Sequence, residues 1–203
     1  MIAITASTPA LLGQDKVFDR HLSFSWDINS PLSNTNFIKN TSVKGVMVSY
    51  RQRINNHLFL GIDLNNVTYH DYSPRQTYFL DGGAVTTSFY KYVVAYDVTL
   101  GGDYYFSPEK RLSPFAGLGV GANYNSYKLY YNIYSSEASG WGVLVRPQAG
   151  AILKIGEEMS WGVLAAIHYD YSTAASKDFA YTNFTNIGFR VGIVIGVGSG
   201  SPF

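Results

Sequence analysis

The run His168-Tyr-Asp170-Tyr-Ser172 holds an imidazole, a carboxylate and a hydroxyl at alternate positions. Those are the parts of a hydroxyl nucleophile with its base and orienting acid. Alternation is also the period of a β-strand, where His168 and Ser172 share a face but lie roughly 13 Å apart. That is far beyond hydrogen-bond reach, so no catalytic relay is expected. His168 and Asp170 are neighbours on one face, which suits a network of ion pairs. A second run, "PFAGLGVGANYNSY" at 114–127, places Gly117, Gly119 and Gly121 at every other position. A dinucleotide loop reads G-x-G-x-x-G and opens a helix. This run reads G-x-G-x-G and continues into Asn-Tyr-Asn-Ser-Tyr, which are poor helix formers. Metal chemistry has no better footing. His21, His57, His70 and His168 are scattered, no H-E-x-x-H occurs, and cysteine is absent. No metal site, no G-x-S-x-G nucleophile and no cofactor are expected.

Period two recurs along the chain. Alternating segments occupy 21–28, 43–52, 57–66, 90–106, 114–124, 140–154, 160–172 and 186–197. Connections after the second, fourth and sixth are short. Those after the first, third, fifth and seventh are long, at 29–42, 67–89, 125–139 and 173–185. Short turns at one end and long loops at the other describe an all-β, eight-stranded, antiparallel up-and-down barrel. It would span 18–197 as one domain, after an N-terminal segment 1–17 and before a tail 198–203. The N-terminal segment reads as a signal-peptide remnant or a disordered start.

The two faces of these strands differ in kind. One parity carries Phe24 and Trp26, Val46 and Val48, Leu60 and Ile62, Val98 and Leu100, and their equivalents, all uncharged. The other carries Asp27, Arg51, Asp63, Lys91, Asp97, Arg146, Asp170 and Arg190, four acids and four bases, with His21 and His168. Most of the strand glycines lie on it too. A soluble barrel would turn the apolar face inward and leave those glycines facing water. The reverse sidedness puts the apolar face into lipid and the charges into a narrow interior, where glycine makes room for long side chains. A charge at mid-depth on the lipid face costs roughly 2–4 kcal/mol, which accounts for the uncharged column. Acids and bases inside must pair, because a lone buried charge is very costly. The expected network is Asp27, Arg51, Asp63, Lys91, Asp97, Arg146, His168, Asp170 and Arg190, plugging the lumen. Aromatics near the strand ends, among them Tyr92, Tyr124, Trp141, Trp161 and Tyr169, suit belts at the two membrane interfaces. Pro147 within the sixth strand predicts a local bulge.

Composition agrees with this reading. Charged residues are 14 % of the 203, against about 25 % in soluble domains. The formal net charge of +1 gives no electrostatic footing for nucleic acid. No apolar window reaches the length of a transmembrane helix.

The whole pattern, with the strand–turn–strand "YYFSPEKRLSPFAGLGVGANY", resembles the small eight-stranded outer-membrane barrels of Gram-negative bacteria, the group of the OmpA membrane domain and OmpX. The resemblance covers about residues 18–197. It implies an integral protein of the bacterial outer membrane, non-enzymatic, with a structural role or a surface-binding role through its long loops. Its partners would be membrane lipids and lipopolysaccharide, the outer-membrane assembly machinery, and a surface ligand or protein at the loops. Members often end in an aromatic residue read during assembly. Here Phe203 is last, separated from the final strand by "GSGSP". Two alternatives follow from the same resemblance. One is transport of small apolar molecules through a lateral or loop-lined opening. The other is a lipid-modifying enzyme, which His168 and Ser172 are too far apart to support.

Overall fold

A computed structural model describes residues 18–80, 83–131, 133–155, 160–175 and 182–197. The proposed signal remnant at 1–17 and the tail with Phe203 lie outside the described residues. Eight strands follow in order: β1 (Arg20–Pro31), β2 (Ser42–Arg53), β3 (Leu58–Leu80), β4 (Gly83–Tyr105), β5 (Leu112–Tyr131), β6 (Tyr134–Ile155), β7 (Trp161–Ser172) and β8 (Phe184–Gly196). Each pairs antiparallel with the next, and β8 returns to β1, so the sheet closes into a barrel. Closure leaves no exposed sheet edge in the part of the wall where all eight strands pair, as a membrane-spanning sheet requires.

The parity separation read from the sequence is the inside–outside division of the wall. Phe24, Trp26, Val98, Leu100, Leu118, Val120 and Ile193 face outward, whereas Asp27, Arg51, Asp63, Arg146 and Arg190 are buried. The outer surface of the wall is thus apolar, and these charged side chains lie inside it.

Strand length is where the structure departs from expectation. Residues 67–89 and 125–139, expected as loops, are almost entirely strand. β1, β2, β7 and β8 have 12 or 13 residues, close to the 9–11 that cross a bilayer. β3–β6 have 20 to 23, so their hairpins project about ten residues beyond it. Cross-strand side-chain pairs sustain the projection. Tyr72 and Tyr90 are direct partners with ring centroids 5.0 Å apart, and His70 meets Tyr92 at 4.8 Å.

Pro147 produces no bulge. It pairs with Leu118 in unbroken register on the β5 side. On the β7 side the ladder skips Arg146 and Pro147 and resumes at Gln148 with no residue inserted. The missing N–H is accommodated by omitting ladder contacts, and the Arg146–Asp170 side-chain pair spans the same gap. Register shifts occur instead between Asp27 and Asn29 and between Ser73 and Gln76.

Candidate functional site

The glycine run answers to the interior. A Cβ at Gly117 would collide with the Asp103 carboxylate. One at Gly188 would overlap the His168 ring. Glycine at these two positions lets a buried charged side chain lie flat against the opposite strand.

Four layers fill the barrel from the short-turn end upward. The lowest is apolar: Phe18, Phe59, Tyr105, Phe115, Ile152, Leu164, Ala166 and Val194 pack together. Lys154 sits beside them, its ammonium donating to the Pro108 carbonyl and lying 5.6 Å from the Phe18 ring. Above this, Arg51 grips Asp63 with two parallel bonds of 2.8 and 3.0 Å and Asp103 with a third of 2.6 Å. Gln148 donates to Asp103 at 2.6 Å and accepts from Arg190 at 2.8 Å. The third layer centres on Arg146. Its guanidinium binds Asp170 at 2.5 and 2.8 Å and Asp97 at 2.7 Å. Asn123 also donates to Asp97. His168 lies between Asp27, at 2.9 Å from Nε2, and Asp170, at 3.2 Å from Nδ1.

A neutral imidazole carries one N–H, so His168 donates to both carboxylates only as the imidazolium. In that form, among the described residues, five buried cations (Arg51, Arg146, Lys154, His168 and Arg190) share the barrel below its mouth with five buried carboxylates (Asp27, Asp63, Asp97, Asp103 and Asp170), and a sixth, Asp71, is buried in the mouth itself.

The fourth layer is a second apolar plug of Ile38, Val67, Tyr69, Val93, Tyr127 and Phe184. Ile38 comes from the β1–β2 loop and is fully buried in the barrel mouth. Asp71 pins that loop by accepting from the Lys39 backbone N–H at 3.1 Å and the Asn40 amide at 3.0 Å. Two interior cavities, one by the lower plug and one beside Arg51 and Arg190, hold about 10 Å³ each, room for one water.

Two pairings differ from expectation. Lys91 stands in the barrel mouth, 3.4 Å from the Asn36 carbonyl and 5.6 Å from the Phe37 ring, and its ammonium serves the loop and not the ion pairs. Arg190 is opposite Asp27 in the β1–β8 ladder, yet its guanidinium reaches Met47, Ser49 and Gln148. Asp103, Gln148 and Lys154 were not singled out from the sequence. Asp103 shares the parity of Asp97 six residues earlier, which was the available signal.

Ser172 does not face a base. Its hydroxyl donates to the Asn123 side chain at 2.7 Å and receives the Ala174 N–H at 3.1 Å. Outside, Tyr124 packs on Trp141 at 4.9 Å and lies near Tyr96 at 6.4 Å, marking an upper aromatic row. Trp161 and Tyr104 are exposed near the short turns, and Tyr169 and Tyr171 face outward at the far end of β7. Tyr92 stands two pleats above Tyr96 on β4, in the projecting sheet.

An apolar exterior, a charged and fully packed interior and a closed antiparallel ladder together define an eight-stranded transmembrane β-barrel. No family model matches the sequence, and none of the curated proteins matches it. Solved structures do. Neisserial surface protein A aligns over 90 % of this chain and 99 % of its own, at 12 % identity and a TM-score of 0.53. The attachment invasion locus protein of Yersinia pestis aligns over 87 % and 95 %, at 13 % identity and a TM-score of 0.48. The outer membrane protein OprG of Pseudomonas aeruginosa aligns over 92 % and 99 %, at 10 % identity and 0.49. The fold is that of the small integral β-barrels of the bacterial outer membrane.

Proposed function

We propose that the chain is a non-enzymatic integral protein of the bacterial outer membrane. Its lumen is closed, and its role is structural or surface-binding through the two projecting hairpins. One observation carries this reading: the interior is packed from end to end. Two apolar plugs bracket two charged layers, and Ile38 closes the mouth. A lumen so filled leaves no aqueous path, and the Ser172 hydroxyl is engaged with Asn123 and the Ala174 N–H, not with a base. The surface that remains for a partner is the sheet above the bilayer. Membrane lipids and lipopolysaccharide surround the wall in this reading, and the assembly machinery inserts it.

Planar-bilayer recording of purified protein tests the closed lumen. The expected trace is flat at low voltage. A steady unitary conductance would overturn the reading. Replacing both projecting hairpins with short glycine turns tests the surface role: binding to cells or ligand should vanish while the barrel still folds.

A further inference from the structure

The projecting parts of β3–β6 form a four-stranded sheet above the upper aromatic row. Its outward face continues the lipid-facing column of the wall: along β4 that column runs Val98, Tyr96, Val94, Tyr92, Tyr90. The face therefore looks sideways along the membrane, over whatever head groups surround the barrel. Across it, Tyr92 is the direct partner of Lys128, and Tyr90 of Tyr130. The Tyr92 and Tyr130 rings meet edge to face at 6.0 Å, and the Tyr72 ring packs tilted beside Tyr90. Lys128 is held at 3.3 Å from Glu137. An open hollow of about 480 Å³ lies among Tyr90, Tyr92, Val94, Lys128 and Tyr130.

Height decides what can occupy it. From Tyr96 to Tyr90 is roughly 20 Å along the strand, or about 15 Å of height at the usual tilt. The polar layer of a phospholipid leaflet is only roughly 5–7 Å deep. Phospholipid head groups end below Tyr92, so a taller head group is needed to reach the tyrosines of the hollow. The chemistry is also specific. Flat aromatic rings with phenol groups, beside a paired ammonium and carboxylate, suit the C–H faces and hydroxyls of sugars. Among the described residues, Lys128 is the one charge in the lining of the hollow, and its pairing with Glu137 leaves the hollow without the excess positive charge that a bare phosphate would call for.

From this we infer that the outward face of the projecting sheet is a docking site for the oligosaccharide head group of a neighbouring glycolipid. The inference rests on the membrane-barrel reading above. Tyr90, Tyr92 and Tyr130 supply the stacking surface. Lys128 and Glu137 supply charged hydrogen-bond partners for hydroxyls.

The test uses the full chain folded into phosphatidylcholine vesicles, alone, with lipid A, or with rough-type lipopolysaccharide that carries its core saccharide. The readout is the midpoint temperature at which the compact gel band converts to the unfolded one. A ligand that binds only the folded barrel raises that midpoint. Rough-type lipopolysaccharide should raise it beyond lipid A, because only its saccharide is tall enough. The triple variant Tyr90→Ser, Tyr92→Ser, Tyr130→Ser should keep a compact band in phosphatidylcholine, at a lower midpoint of its own because its cross-strand ring pairs are gone, and should show no rise with rough-type lipopolysaccharide beyond that with lipid A. Its apparent affinity for the saccharide-bearing lipid should fall roughly tenfold. Equal stabilisation of the wild type by both glycolipids would overturn the inference without need of the variant. So would a triple variant that keeps the full increment. A wild type with no compact band in any vesicle would instead sink the membrane-barrel reading, and this inference with it.

Discussion

Replacing Arg146 with methionine removes the centre of the third layer while keeping most of its volume. Arg146 makes three bonds to two buried carboxylates, Asp97 and Asp170, and its own side chain is wholly buried. Deleting one partner of a buried ion pair costs about 3–5 kcal/mol, because the charge left behind is stranded in low dielectric. Asp170 keeps His168, whereas Asp97 keeps only the Asn65 and Asn123 amides and no cation. Most of the loss should therefore fall on Asp97. Adding Asp97→Asn to Arg146→Met neutralises that stranded charge and should recover at least half of the loss. Equilibrium unfolding in urea, in lipid vesicles, reads both values through the outward tryptophans Trp26, Trp141 and Trp161 and through gel mobility. The double-mutant arithmetic applies because the two residues touch. If Arg146→Met lies within about 1 kcal/mol of the wild type, or if Asp97→Asn adds a further loss, the ion-pair account of the interior is wrong.

Further outcomes follow from the same packing. Gly188→Val drives a side chain into His168 and Asn29 and should cost about 1–3 kcal/mol by overpacking, read in the same urea titration. Val98→Arg, on the exposed mid-wall, should cost roughly 2–4 kcal/mol in bilayers. Asp71→Ala removes the two bonds that Asp71 gives the β1–β2 loop, so limited proteolysis should cut near Ile38 faster while the urea midpoint of the barrel stays unchanged.

The inverted wall was legible because it depends on parity alone. Phe24 and Trp26 against Ser25 and Asp27, repeated in eight segments, fix which side chains share a face whatever the neighbouring strand is. Hairpin length was not legible in the same way. Residues 67–89 and 125–139 are rich in Tyr, Ser, Thr and Asn, a composition shared by solvated loops and polar strands. Their strand state rests on partners such as Tyr72–Tyr90, which exist only once the hairpin is paired. Parity tells which charged residues share the inner face, but not which of them meet. An arginine reaches several residues, so Arg190 bypasses Asp27 across the ladder and meets Gln148, while Asp27 meets His168 from β7. Lys91 shares parity with the network but lies too high on β4 to join it. The plug by Ile38 left only a faint trace, the apolar pair Phe37–Ile38 inside the polar run from Ser33 to Thr41. Nothing in local spacing tells which loop turns inward.

The central claim is that the apolar parity meets lipid. The chain has no cysteine, so single Val98→Cys, Leu100→Cys, Leu118→Cys and Val120→Cys variants take an environment-sensitive fluorophore at one place each. In vesicles containing a nitroxide-labelled lipid, all four should emit at short wavelength and be quenched by the lipid, while aqueous iodide leaves them unaffected. Fluorophores untouched by the lipid nitroxide would place these residues in a protein core and turn the barrel the other way out.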